Sequence, residues 1–275
     1  MKVTRLSLDH LTVTDTTPAQ LAEIAAATGC GGMCLFLHSM EVLPRMPDYS
    51  LIGNAVESRA TRSAMAAGGV TLDLVYPFTL AGRTTVADFE PALETAAGLG
   101  ARRANILCYD RDPTRRSERL AELAELAHDY AIGLSIEFYR PSQIASLGDA
   151  FATIEALPGR DIGVTLDLLH LARSGGMPDM LPHLADPRIC IAQISDGPAT
   201  LADERIEWEA GVQRELPGHG SFDIPRFTAS LAEHVPLSVE VPQEAAILAG
   251  VPAIERARNA VDATRSLLAK YNDAE

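Results

Sequence analysis

Apolar and polar positions along this chain follow two rhythms. Short aliphatic and β-branched runs recur eight times, and each is followed by a longer stretch with helical spacing. The strand-like runs are Val3–Leu8, Met33–Leu37, Val70–Tyr76, Ala104–Cys108, Leu134–Glu137, Val164–Leu166, Ile189–Ile194 and Leu237–Val241. Between and after them the pattern predicts helices at Pro18–Thr28, Asn54–Ala67, Val86–Leu99, Thr114–Tyr130, Ser142–Leu157, near Asp179–Leu184, at Ile224–His234 and at Val251–Tyr271. Thr17 is placed to cap the first helix ahead of Pro18. Pro77 is expected to stop the third strand, and Gly197–Ser221 reads as one long loop.

Strands that alternate with helices imply a parallel sheet, and eight such units closing on themselves give a single (β/α)8 TIM barrel over residues 1–275. No linker or shift of composition divides the chain. A doubly wound open sheet would need a glycine-rich turn after the first strand, and Leu8-Asp9-His10-Leu11 is not one.

The opening MKVTRLSLDHLTV lacks the apolar core of a signal peptide, and no run approaches the ~20 apolar residues of a membrane span. The expectation is a soluble cytoplasmic protein without a membrane partner. A net charge of −14 argues against nucleic acid and does not argue against a cationic metal. The only lysines, Lys2 and Lys270, stand near the ends, so Schiff-base chemistry at a strand tip has no candidate. Cys30, Cys34, Cys108 and Cys190 lie in or beside apolar runs and read as reduced thiols.

Four runs in the second half, IGLSIEFY, IGVTLDLL, ICIAQISD and PLSVEVP, place Glu137, Asp167, Gln193 and Glu240 at the ends of strands five to eight. In a barrel these tips are neighbours on the rim that carries chemistry. Three crowded carboxylates cannot all stay ionised unaided, and one divalent cation resolves the conflict. Carboxylates with an amide oxygen suit Mn²⁺ or Mg²⁺, with Zn²⁺ or Co²⁺ also compatible. The competing reading makes Asp167 only a helix cap. Glu137 and Glu240 are the candidate bases. His170, three residues past Asp167, is a candidate proton shuttle or an orienting partner. Arg214 and His219 on the seventh loop, Tyr139 and Arg140 after Glu137, Trp208, and His38 at the second strand tip are candidate substrate contacts. The glycines of Pro217-Gly218-His219-Gly220 invite a phosphate-cradle reading.

In these residues the chain resembles the xylose isomerase-like barrels usually described as sugar phosphate isomerases or epimerases, most clearly from Gly133 to Val241. The resemblance implies one divalent metal held by Glu137, Asp167, Gln193 and Glu240, with the histidine of the DxxH motif, His170, close to metal and substrate. It also matches the PGxG segment at 217–220 with Arg214 ahead of it. Gln193 stands where the sugar epimerases usually have histidine. It is similar to the 3-dehydroshikimate dehydratases, which share the QxxD spacing of Gln193 and Asp196. The trinuclear zinc site of the nuclease branch lacks its histidines at Tyr76-Pro77 and at Cys108-Tyr109-Asp110.

Three functions stay open on the sequence. One is a metal-dependent isomerase or epimerase of a keto-sugar or polyol-derived substrate, acting through an enediolate. The second is a dehydratase of a cyclic keto-acid such as 3-dehydroshikimate. The third is a sugar-binding barrel without catalysis, or a partner-dependent subunit. All three take a small polyhydroxy or keto-acid ligand, and a homodimer or homotetramer is compatible with each.

Overall fold

The computed structural model describes residues 5–176 and 183–272. Eight parallel strands close into a barrel in the order of the chain. They are β1 (Leu6–Asp9), β2 (Gly32–Phe36), β3 (Thr71–Leu80), β4 (Arg103–Cys108), β5 (Gly133–Glu137), β6 (Ile162–Asp167), β7 (Ile189–Ile194) and β8 (Leu237–Val239). The ring closes where β1 pairs with β8 through Leu6–Leu237, Ser7–Ser238 and Leu8–Val239. Among the described residues the helices are α1 (Pro18–Ala27), α2 (Ala55–Gly68), α3 (Glu90–Leu99), α4 (Pro113–Asp129), α5 (Leu147–Glu155), α6 (Leu168–Arg173), α7 (Ile206–Gly211), α8 (Ile224–Ser230), α9 (Glu244–Leu248) and α10 (Ala253–Asn272). No helix among the described residues is long and apolar enough to cross a membrane.

Local chemistry explains the boundaries. Thr17 caps α1 as expected, in a capping box: its hydroxyl takes the Gln20 N–H, and the Gln20 side chain takes the Thr17 N–H at 2.9 Å. The left-handed Gly69 (φ 64°) ends α2 and Gly100 (φ 80°) ends α3, a backbone that side chains with a Cβ rarely adopt. All four cysteines are free thiols.

Some expectations are corrected. β3 runs on through Pro77 to Leu80, with the register against β4 slipping between Val75 and Phe78. Proline cannot donate to a ladder, so an irregularity is where it fits. The predicted loop Gly197–Ser221 contains α7, and α9 follows β8 unannounced. The helix expected near Asp179–Leu184 falls mostly outside the described residues.

The main core joins the strands to the surrounding helices. A smaller apolar cluster of Leu11, Cys34, Phe36, Leu43, Met46, Tyr49, Leu74, Tyr76 and Ile191 lies on the β1–β3 side. The Phe36 and Tyr76 rings stack there with centroids 4.7 Å apart. This cluster forms one wall of the site.

Candidate active site

The β-strand ends deliver four buried carboxylates: Asp9 from β1, Glu137 from β5, Asp167 from β6 and Glu240 just past β8. Asp167 serves two masters. Its Oδ1 accepts the Leu169 N–H at 2.8 Å and caps α6, while Oδ2 faces the site. Asp9 does the same on β1, with Oδ1 taking the Leu11 N–H at 3.0 Å and Oδ2 taking the Tyr76 hydroxyl at 2.8 Å. The capping reading of Asp167 holds for Oδ1, which leaves Oδ2 to meet Arg214 and His170.

Glu137 is held by the Asn105 amide, which donates to its Oε2 at 2.5 Å. Asn105 is in turn fixed by Thr165, whose hydroxyl donates to Asn105 Oδ1 at 2.7 Å. The other Glu137 oxygen lies 3.4 Å from His170 Nε2, and that nitrogen is also 3.4 Å from Asp167 Oδ2. Glu137, Asp167 and His170 therefore bring ligand atoms to within 4.8 Å of one another.

Gln193 pairs with Asp167 in the β6–β7 register. Its amide nitrogen donates to the Tyr76 hydroxyl at 2.8 Å, with Asp9 Oδ2 at 3.5 Å. Its Oε1 is buried and has no hydrogen-bond partner among the described residues. A buried amide oxygen left without a donor is costly, and a cation would satisfy it. The donor set of carboxylates, imidazole and this amide oxygen fits a divalent ion.

Arg214, expected as a substrate contact on the seventh loop, is buried among the acids. Its Nη1 donates at 2.9 Å to Asp167 Oδ2 and at 2.9 Å to Glu240 Oε2, and Nε and Nη2 both reach the Ala210 carbonyl. An acidic floor taken out of water needs internal positive charge, and a guanidinium supplies it. Burial pushes the Asp167 carboxyl up, but Arg214, His170 and the Leu169 N–H together hold it below its usual value. Burial outweighs Arg214 at Glu240, which rises well above the carboxylate range with help from Asp9, Asp167 and Glu137. Burial also raises Asp9 to about 6 against the hydrogen bonds from Leu11 and Tyr76. The cluster thus separates into an ionised Asp167 and two acids that hold their protons more tightly.

Above this floor opens a cavity of about 650 Å³. Glu137, His170, Arg214, Glu240, Tyr139 and Trp208 line it, all expected at the site. Tyr139 packs against His170 with ring centroids 4.8 Å apart. Three expected contacts stay outside the lining. Arg140 is paired with Asp203 at 2.8 Å. His38 bonds the neighbouring Ser39 carbonyl at 2.8 Å. His219 is exposed on its loop. That loop is no phosphate cradle, because Asp196 takes the N–H groups of Gly218 at 2.9 Å and Phe222 at 3.0 Å. A Cβ on Gly220 would collide with Asp196 Oδ1, so glycine is required there by close approach. Asp9, Tyr76 and Asn105 were not foreseen as site residues. Asp9 carried a signal, since Leu6-Ser7-Leu8-Asp9 repeats the pattern of Val164-Thr165-Leu166-Asp167.

Residues 22–267 match the sequence profile of the xylose isomerase-like TIM barrel. The chain belongs to that family. No curated protein matches its sequence. Solved members of the xylose isomerase-like fold superpose over nearly the whole length. The IolI protein, solved with a bound zinc atom, has a TM-score of 0.75 at 18% identity, covering 97% of this chain and 99% of its own. A xylose isomerase domain protein from Salmonella typhimurium LT2 has a TM-score of 0.74 at 18% identity, covering 98% of each chain. A D-psicose 3-epimerase solved in the presence of D-fructose has 0.71 at 15% identity, covering 95% of this chain and 97% of its own. At such identities the likeness is one of fold.

Proposed function

We propose that this xylose isomerase-like barrel is a divalent-metal-dependent isomerase or epimerase of a keto-sugar or polyol-derived substrate. The observation that carries the reading is the convergence of Glu137, Asp167 and His170 within 4.8 Å. Beside them lie Glu240 and the partnerless Gln193 oxygen. Those five residues would hold the ion, Mn²⁺ or Mg²⁺ by their preponderance of hard oxygen donors, with Zn²⁺ or Co²⁺ also suited. When bound, such an ion polarises a substrate carbonyl and stabilises the charge that develops as the neighbouring C–H proton leaves. The IolI zinc and the D-fructose present with the psicose epimerase accord with this assignment.

The proton work falls to residues of the chain. Glu137 keeps one oxygen on Asn105 and turns the other toward His170 at the cavity. Glu240 lines the same cavity from the end of β8. A proton taken by one glutamate and returned by the other gives epimerisation, and a proton returned to the adjacent carbon gives isomerisation. His170, within reach of Glu137 and Asp167, relays the proton or steadies a substrate hydroxyl. A keto-acid would bring a carboxylate to a cavity whose guanidinium, the one in its lining, already serves Asp167 and Glu240, which favours the isomerase over the dehydratase.

The test is solvent exchange. Protein stripped with chelator and reloaded with Mn²⁺ is incubated in D₂O with a panel of ketohexoses, ketopentoses and inosose-type polyols. Proton NMR should show loss of the C–H signal next to the carbonyl in at least one substrate. Chelator and E137Q should each abolish it. Absence of both metal binding and exchange across the panel would overturn the reading.

A further inference from the structure

The cavity is built in two unlike halves. The charged groups, Glu137, His170, Arg214 and Glu240, sit toward the strands that carry the acids. The rest of the lining is mostly apolar, with Leu11, Phe36, Met40, Val42, Leu43 and Trp208 forming a wall. Leu11, Phe36 and Leu43 belong to the packed cluster on the β1–β3 side, so this wall is rigid rather than a loose loop.

The exposed large apolar side chains are not scattered. Among the described residues they are Val42 (75% exposed), Val56, Tyr109, Trp208 (39%) and Leu248. Val42, Tyr109 and Trp208 all open into this cavity. Water-facing apolar surface gathered at one concave place marks a binding surface. The indole is also held in position: Arg205 stacks on it with the guanidinium carbon 3.8 Å from the ring centroid. Trp208 is thus presented as a fixed platform.

The charge inventory points the same way. Besides His170, Arg214 is the one basic residue in the lining, and two carboxylates occupy it. Glu207 adds a further acid at the mouth beside Trp208. A phosphate would meet Glu137, Glu207 and Glu240 with no free guanidinium to balance it. The glycine loop after β7 turns its Gly218 and Phe222 N–H groups to Asp196 rather than to a ligand.

We propose that the substrate is unphosphorylated and bipartite: a polyhydroxy or keto part over the acidic floor, joined to an apolar group of about aromatic-ring size that lies against Trp208, Val42 and Leu43. This rests on the polyol reading of the floor and adds to it the chemistry of the mouth. Free monosaccharides would fill only part of the 650 Å³ and leave the apolar wall wet. A sugar or cyclitol carrying a phenyl or similar substituent covers both halves.

Trp208 is the only tryptophan, so its fluorescence reports the mouth directly. Mn²⁺-loaded protein is titrated with matched sets, each comprising a free ketohexose or inosose, its phenyl ether at a hydroxyl remote from the carbonyl, and its monophosphate. Calorimetry repeats the titrations on W208A and V42S. Within a set, the phenyl member is expected to bind about ten-fold or more tighter than the free polyol, and the phosphate weaker than either. In V42S and W208A the phenyl preference should shrink toward one. Phenyl and free members of equal affinity, or a tighter phosphate, would overturn the proposal while leaving the metal-dependent reading intact if deuterium exchange persists. Tight phenyl binding without exchange in any set would keep the apolar mouth and remove the isomerase. Failure of every member to bind would remove both.

Discussion

Arg214 and Asp167 meet at 2.9 Å although 47 residues separate them in the chain, and the same Arg214 nitrogen holds Glu240. A single guanidinium thereby bridges two of the acids expected to bind metal. Its charge is locked in, because Asp167, Glu240 and Glu137 outweigh burial and raise its pKa further above the ordinary arginine value.

Replacing Arg214 by methionine leaves the buried acids without that compensation. Metal-free R214M should lose roughly 3–5 kcal/mol of stability, the usual cost of orphaning a buried charge. Added Mn²⁺ should raise its melting temperature by more than it raises that of the parent protein, because the ion restores the missing charge. Calorimetric melts in chelator and in Mn²⁺ measure both increments; equal increments would show that Arg214 and a cation do not share these oxygens.

Asp167→Asn separates the two duties of that residue. Asparagine still accepts the Leu169 N–H and caps α6, so the loss of melting temperature in metal-free buffer should come from the broken Arg214 pair and not from the cap. Mn²⁺ affinity, read by calorimetry, should fall by more than ~10-fold because the ionised oxygen is gone. Asp167→Ala should lose the cap as well, at about 1 kcal/mol.

Gln193→His probes the amide oxygen. An imidazole can keep one nitrogen on the Tyr76 hydroxyl, now 2.8 Å from the Gln193 amide, and offer the other to an ion. Competition titrations should show the balance moving from Mn²⁺ toward Zn²⁺. Unchanged preference and affinity would remove Gln193 from the ligand set.

His10 is a pH probe away from the proposed ligands. It is buried with Nε2 at 3.0 Å from the Thr16 carbonyl, and burial lowers its pKa from 6.5 to about 4. Between those values the unfolded chain binds a proton that the folded chain refuses. The residue's contribution to stability is therefore intact above pH 6.5 and falls as the pH drops toward 4, by roughly 3 kcal/mol. His10→Gln removes this loss. Denaturant unfolding of parent and variant across that window should show their difference moving in favour of the variant as pH falls, and a constant difference would contradict it.

Much of the fold was legible because several strands ran apolar up to a polar tip and several helices carried their own caps, as with Thr17 and Gln20. Glu137, Asp167, Gln193 and Glu240 were visible for the same reason. Pro77 misled, because a proline inside a strand reads as a stop unless the register slip that accommodates it is known. Arg214 was visible as a residue but not as a partner. Its place depends on how the segment from Gly197 to Pro217 folds back over the rim, and that path is set by Asp196 gripping the loop. Asp9 was passed over although its strand repeats the β6 pattern, since one carboxylate before a histidine carries little weight until the ring closes β1 onto β8.

The pairing of Arg173 with Glu209 ties these parts mechanically. The guanidinium donates to both carboxylate oxygens, at 2.7 and 2.6 Å, in a nearly dry contact. One end of that fork belongs to the short helix bearing the imidazole, the other to α7, which bears the indole. Acidic floor and doorway are bolted together as one piece, so a guest that nudges the doorway leans on the His170 imidazole as well.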